Sequence, residues 1–258
     1  MGNTLIGWNN AVKYATLAAG SSATRFPIEN LQNDIGAASL GWQTESGATT
    51  SYFTVTFPSS QTVRALAICQ TNLTPDAVIT FSLYENPSTL LFSGSGSSIV
   101  AGFGQSVLVA DQDYTADYCR VDIADPGNPD SFLNVSLAFV GAGWLPEIGM
   151  AWETTFGRNR RVDDFRTIGG QRYPTPRWSA RSRQVVLDWV QGDELWTDVG
   201  ELDRISSLGG NVLVIPNIQS SEVSNEAIFG IVEVVNDISY QIGVADCFKW
   251  TFRIEERL

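Results

Sequence analysis

Apolar and polar residues alternate along most of the first 140 residues of the chain. Phe53, Val55 and Phe57 are separated by polar neighbours, which is the period-two pattern of a strand with one buried face. Residues 63–69 form an almost continuous apolar run, typical of a strand covered on both faces, and residues 78–84 alternate again. Short strands separated by turn residues predict an all-β fold with an antiparallel sandwich at the N-terminal end.

A second domain is predicted after the run of small residues and proline at 141–146, so the domains are expected at 1–145 and 146–258. The second part holds one amphipathic helix, predicted at about 193–208 with Asp193 at its N-cap. Leu195, Val199, Leu202 and Ile205 recur at spacings of four, three and three on one face of it. The remaining apolar runs of this part are predicted strands.

Composition and charge exclude several functions. The chain has 258 residues, no histidine, 16 basic and 28 acidic residues and a net charge of −12, which disfavours nucleic-acid binding and rules out histidine-based catalysis and metal ligation. Cys69, Cys119 and Cys247 form no zinc or disulfide pattern. Without a phosphate loop, a nucleophile elbow or a membrane-spanning apolar run, the sequence predicts no enzyme activity, no cofactor, no metal and no membrane span.

Arginines are concentrated in a predicted arm at about residues 157–183, where only Asp163 and Asp164 offset them. Arginine binds carboxylates with two parallel hydrogen bonds and stacks on aromatic rings. The pattern therefore indicates a contact surface for an acidic partner, which includes another copy of this chain, or else a solvated set of arginines paired within the molecule. The predicted contact residues are Arg158, Arg160, Arg161, Arg166, Arg172, Arg177, Arg181 and Arg183.

The order of motifs over about residues 25–140 resembles that of discoidin-like, or galactose-binding-like, domains. A Phe-Pro-Ile-Glu-Asn-Leu segment precedes Trp42, a strand begins near Tyr52, and an apolar strand follows at 62–68. The resemblance implies a jelly-roll β-sandwich in which loops at one end bind a sugar in some members. The glycan contacts to test are Asn33, Asp34, Trp42, Asn72 and Tyr84, and the alternative is that Trp42 packs on the core while the polar residues cap turns.

Three carboxylates and an amide in the loop at residues 122–130 raise the alternative of a cation site. Calcium needs six to eight oxygen ligands, and the spacing of an EF-hand is absent. A structural turn closed by aspartate and asparagine side chains is therefore favoured.

Residues 150–258 are similar to the tail-tube-type β-barrel of distal and minor tail proteins of long-tailed bacteriophages. The similarity lies in the single helix, a strand ending at Pro216, the run at 228–232 and a terminal Trp-x-Phe-x-Ile pattern. It implies a C-terminal tail-tube-like barrel whose arm reaches a neighbouring subunit in a ring, with six copies expected. The sandwich precedes the barrel here, whereas many distal tail proteins have the opposite order.

The function that these resemblances imply is that of a structural virion protein. It would be made in the host cytoplasm and form a ring at the distal tail or baseplate, between the tail tube and the tip. Its partners would be itself, the tail tube, the hub and a host glycan. The alternative is a carbohydrate-binding module that recognises a cell-surface glycan.

Overall fold

The computed structural model describes residues 3–96, 99, 104–240 and 246–257, which are mostly β-strand. The strands are β1 (Leu5–Gly7), β2 (Thr16–Ala19), β3 (Trp42–Gln43), β4 (Thr50–Thr71), β5 (Val78–Asn86), β6 (Thr89–Ser95), β7 (Ser106–Ala124), β8 (Asn134–Gly141), β9 (Thr155–Arg166), β10 (Arg172–Gln191), β11 (Asn211–Ile215), β12 (Ile228–Tyr240) and β13 (Cys247–Glu256). The helices are α1 (Gly192–Glu194), a π-helical turn (Leu195–Val199), α2 (Gly200–Ser207) and α3 (Val223–Glu226), with short 3-10 helices at Ala11–Tyr14, Ile28–Gln32 and Ala38–Leu40.

The chain divides into two compact units that meet along the sequence at Pro146 and Glu147, and a short later segment belongs to the first unit. The first unit contains Met1–Pro146 together with Val212–Ala227, and the second contains Glu147–Asn211 and Ile228–Arg257. Among the described residues, no helix is both long and apolar enough to cross a membrane.

The first unit is built on antiparallel strands in the order β3-β8-β4-β7-β5-β6, with β2 also paired to β4. Register shifts in the long strand β4, between Thr56 and Gln61 for example, interrupt its ladder with β7, as β-bulges do where a sheet bends. Phe53 and Val55 are fully buried, and the ring of Phe53 meets Trp42 edge-on at 5.5 Å. The predicted alternation of β4 is therefore confirmed, and it supplies one wall of the sandwich core.

Residues 212–227 join the first unit because β11 is wholly buried and pairs with β1, Leu5 opposite Ile215. The following helix is fixed by hydrogen bonds: Ser224 Oγ accepts from the backbone N–H of Val107 at 2.8 Å, and Gln105 Nε2 donates to the carbonyl of Ser224 at 2.8 Å. These long-range partners explain why a division based on local composition assigned the segment to the second domain.

The second unit is a sheet in the order β9-β10-β13-β12 with a helix beside it. The predicted face of Leu195, Val199 and Leu202 is buried. The N-cap is Gln191 and not Asp193, because the Glu194 side chain accepts from the Gln191 N–H in a capping box. Among the described strands of this unit the sheet is open, so the predicted barrel is not seen.

Candidate functional sites

A pocket of about 410 Å³ opens at one end of the sandwich, where the segments around residues 26–43, 70–72 and 130–134 converge. Two half-buried rings, Phe26 and Phe132, line it. Its polar lining consists of Ser39, Gln43, Gln70, Thr71, Asn72, Asp130 and Asn134. This is the loop pocket. Its mixture of aromatic surface and convergent polar groups is typical of small-ligand sites.

Asn72 holds three other lining residues of the loop pocket in place through hydrogen bonds. Its Nδ2 donates to Asp130 Oδ2 and to the Phe132 carbonyl, both at 2.9 Å, and its Oδ1 accepts from the Asn134 N–H at 2.7 Å. Both amide protons are thereby used, so Asn72 holds the other residues in place. Asp130 keeps its second carboxylate oxygen without a partner among the described residues.

Two groups of the loop pocket are left to meet a ligand. The Gln43 side chain is half-buried and makes no hydrogen bond to the described residues, while its backbone N–H donates to the Phe26 carbonyl at 3.1 Å. An amide offers two donors and an acceptor, and a carboxylate offers acceptors only. With the second oxygen of Asp130, the pocket can therefore donate to and accept from neighbouring hydroxyls.

Two residues in left-handed backbone conformation flank this site. Gln70 has φ of 53° and Ser131 has φ of 58°, a region that costs a residue with a β-carbon about 1–2 kcal/mol. Such outliers cluster at functional sites, where the surrounding fold enforces them. The strain at Gln70 turns its side chain into the lining of the loop pocket.

Replacing Gln70 by glycine is expected to raise the free energy of unfolding by about 0.5–1 kcal/mol, because glycine adopts positive φ without the strain that a β-carbon causes. Urea denaturation measures the change. Ser131→Gly is the matched control and should have a similar effect, since it relieves the same kind of strain at a residue outside the lining of the loop pocket. A free energy of unfolding that is unchanged or lower in both variants would show that neither position is strained.

Of the five predicted glycan contacts, Asn72 lines the loop pocket and the others lie elsewhere. Trp42 is fully buried, and its Nε1 donates to the Ser21 carbonyl at 3.1 Å. Its ring packs on Phe53 in the core, so it has no exposed surface to offer a ligand. This matches the alternative drawn from the sequence, in which Trp42 packs on the core.

The remaining three predicted contacts make interactions within the loops and on the sheet. Asn33 closes a turn, since its Oδ1 accepts from the Ile35 N–H at 2.8 Å, and Asp34 is paired with Lys13 at 2.8 Å. The ring of Tyr84 stacks on Tyr118 with centroids 4.7 Å apart, on the sheet and outside the loop pocket. Gln43 carries no local motif that marks it as a contact, and the sequence indicated Asp130 only as part of the acidic loop at residues 122–130.

The acidic loop at 122–130 is closed by its own side chains. Asp125 is buried and accepts from the Thr74 N–H at 2.8 Å, the Thr74 hydroxyl at 2.7 Å and Asn128 Nδ2 at 2.9 Å. Within the described part of the chain, no group of three or more acidic or cysteine side chains is arranged to hold a metal ion. Asp125 therefore ties two loops together.

A second candidate site is the hairpin of β9 and the outer part of β10, residues 155–179, here named the arm. Nearly all its residues are exposed. Phe165 pairs with Tyr173, and Trp178 pairs with Arg161. Since alternate residues of a strand share a face, the rings of Phe165, Tyr173 and Trp178 lie together on one face of the arm, with 68%, 53% and 44% of their surface exposed.

The opposite face of the arm is cationic. Arg158, Arg160 and Arg166 stand at alternate positions of β9, and Arg172 pairs with Arg166 across the hairpin. Asp164 is the acidic residue in this alternation and is bound by Arg172, whose hydrogen bond lowers the pKa of that carboxyl.

Several of the predicted contact arginines are paired within the molecule. Arg177 and Arg161 both lie near Asp163, at 2.6 and 3.7 Å. Arg160 and Arg166 make no ion pair with the described residues. Some arginines of the arm are therefore paired within the molecule, as the second alternative expects, and a contact with an acidic partner stays a prediction for the others.

Arg181 and Arg183 belong to the body of the second unit. Arg181 is 1% exposed, and its Nη2 donates to Glu256 Oε1 at 2.6 Å. The Arg183 guanidinium lies 5.4 Å from the ring centre of Phe156. The prediction that Arg181 contacts another subunit needs correction, because its guanidinium forms a buried ion pair with Glu256.

Solved structures similar to part of this chain include carbohydrate-binding modules of other proteins. The lectin domain of lectinolysin, in complex with Lewis b antigen, aligns with 53% of this chain and 99% of its own length at 10% identity and a TM-score of 0.43. A fucose-binding module of Streptococcus pneumoniae aligns with 52% of this chain and 96% of its own length, at 13% identity and a TM-score of 0.42. The family 32 module of C. perfringens NanJ, in complex with galactose, covers 53% and 98% at 14% identity and a TM-score of 0.41.

None of these three structures is a tail protein. No protein-family model matches the chain, and no curated protein matches it. Overlaps at these identities and TM-scores assign no activity, so a ligand has to be inferred from the residues of the sites themselves.

Proposed function

We propose that the first unit binds a neutral glycan in the loop pocket. The observation that carries this proposal is the grouping of open hydrogen-bonding groups, on Gln43 and Asp130, beside the half-buried rings of Phe26 and Phe132. A sugar presents hydroxyls around its rim and C–H groups on its faces. Amides and carboxylates satisfy the hydroxyls, and aromatic rings cover the C–H groups.

Charge and size favour a short neutral glycan over other polar ligands. Residues 1–145 carry four basic and eleven acidic residues, so the surrounding field opposes an anionic ligand. A volume of about 410 Å³ lies at the lower end of the range for small-molecule sites. The ligand class is therefore a neutral mono- or disaccharide, or the terminus of a longer glycan.

The test is a glycan array probed with the full chain, followed by titration calorimetry with the strongest ligand. The double variant Gln43→Ala with Asp130→Asn should weaken binding about 10- to 100-fold, since a hydrogen bond to a charged group contributes about 1.5–3 kcal/mol. Asp76→Asn is the control, because this carboxylate is exposed and lies outside the pocket lining. A blank array, or equal affinity of the double variant and wild type, would contradict the proposal.

A second candidate function is self-assembly through the arm, and the exposed aromatic face of Phe165, Tyr173 and Trp178 favours it. Six arginines and two aspartates give the arm, residues 155–179, a charge of +4, which leaves −16 on the rest of a chain whose total is −12. Another copy of this chain is therefore an acidic partner for the arm. A ring in a phage tail, with contacts to tube and hub and a place in the virion, is the specific form of this candidate that the tail-protein resemblance suggests.

A further inference from the structure

A second cavity, of about 380 Å³, lies on the outer face of the sheet of the first unit and shares no residue with the loop pocket. Tyr52, Asp122 and Thr80 stand side by side in it, because β4, β7 and β5 pair in that register. Arg120, two positions from Asp122 on the same face of β7, completes its polar rim. The cavity is therefore built mainly on strands, with Gly20 and Ser21 of the bend after β2 at its edge.

The rim is held rigid by an ion pair and a stacked ring. Arg120 Nε donates to the Asp122 carboxylate at 2.8 and 3.0 Å, and its Nη2 donates to Oδ1 at 2.6 Å. The guanidinium carbon lies 3.8 Å from the ring centre of Tyr52. The Nη1 protons of Arg120 make no hydrogen bond to described residues, so a fixed donor remains beside a fixed acceptor group.

An aromatic stack lies farther along the same sheet face. Tyr118 pairs with Tyr84 in the ladder of β7 and β5, and their rings are stacked at 4.7 Å. Tyr118 is four residues from Asp122, which corresponds to about 13 Å along a strand. A polar cavity and an aromatic stack are thus aligned along β7 over a distance longer than one sugar ring.

We infer that this strip, from the cavity at Tyr52 and Asp122 to the stack at Tyr118, binds the interior of an extended neutral polysaccharide chain. The cavity donates to and accepts from the hydroxyls of one sugar, and the tyrosines meet the C–H face of another. The Arg120 charge is already balanced by Asp122, and the surrounding residues 1–145 are acidic, so an anionic polymer is disfavoured. The inference extends the proposed function to a second, separate site and does not require the loop pocket to be active.

Affinity electrophoresis of the full chain tests the strip, in gels that contain galactomannan, mixed-linkage β-glucan or xylan as neutral polymers and alginate as an anionic one. At least one neutral polymer should retard the wild-type chain. Thr80→Trp, which fills the cavity, and Tyr118→Ala, which removes the stack, should each raise the dissociation constant at least 10-fold. Asp76→Asn, which changes an exposed carboxylate outside the lining of both pockets, should be retarded like wild type.

Three results would overturn the inference: no retardation of wild type by any neutral polymer, retardation by alginate alone, or unchanged retardation of Thr80→Trp. If Thr80→Trp does not fold, as judged by near-ultraviolet circular dichroism, Arg120→Gln with Asp122→Asn replaces it, because this pair removes both charges and leaves neither unpaired. A blank glycan array with intact retardation would remove the loop-pocket function and leave the strip standing.

Discussion

Replacing Glu256 by glutamine should lower the free energy of unfolding by about 3–5 kcal/mol, because it leaves the Arg181 charge buried without a counter-ion. The two side chains are 1% and 3% exposed, and the Arg181 backbone N–H also donates to the Glu256 carboxylate at 3.2 Å. Urea denaturation, followed through the fluorescence of the tryptophans, measures the change. Trp250 is fully buried in the same unit, so its emission reports on this unfolding.

Two control variants separate the ion pair from the packing around it. The double variant Arg181→Met with Glu256→Leu should regain most of the lost stability, since a buried pair can be replaced by apolar residues of similar volume at little cost. Glu201→Gln breaks an exposed pair with Arg204 and should cost less than about 1 kcal/mol. A loss below about 1 kcal/mol in Glu256→Gln would show that solvent reaches the guanidinium.

Converting Phe165, Tyr173 and Trp178 to serine together should weaken self-association of the chain at least 100-fold while the protomer stays folded. Aromatic anchors at a protein interface contribute about 1–2 kcal/mol or more each, and these three rings already face solvent, so the isolated protomer loses no core contact. Sedimentation velocity over a range of concentrations measures the association, and circular dichroism confirms the fold.

The matched control is Trp152→Ser, which removes an equally apolar side chain that is 99% exposed and lies outside the arm. It should leave self-association unchanged. Arg160→Glu with Arg166→Glu should weaken association on the cationic face, and this effect should shrink in salt because exposed charges are screened. Unchanged association of the triple serine variant, or a wild type that sediments as a monomer at high micromolar concentration, would contradict assembly through the arm.

The strands and the helix followed from local periodicity because each apolar face is encoded within a few neighbouring residues. Phe53 and Val55 are buried as their alternation predicts, and Leu202 is buried as its helical spacing predicts. The helix cap was misplaced because Gln191 is an uncommon capping residue and acts here through the carboxylate of Glu194.

The loop pocket was only partly predictable because strand pairing, and not local sequence, assembles it. Asn72 marked the region, but it brings in Asp130 across 58 positions of the chain through one hydrogen bond. The sequence left two interpretations of Trp42, because a tryptophan before a strand is compatible both with ligand stacking and with core packing. Its contact with Phe53 in the core decides between them. A sequence shows which residues are aromatic, whereas the burial of their side chains depends on partners far along the chain.

The first unit is assembled from two stretches of the chain, and this has a consequence for protein synthesis. β1 finds β11 only after about 200 further residues have been added, and the N–H of Val107 finds Ser224 later still. Most of the second unit must therefore be synthesised before the strands of the first unit can all pair. Contacts so distant in sequence slow folding. Until β11 is made, β1 can pair only with the bridge at Trp144, and a sandwich with such an incompletely paired strand exposes the kind of edge that promotes aggregation.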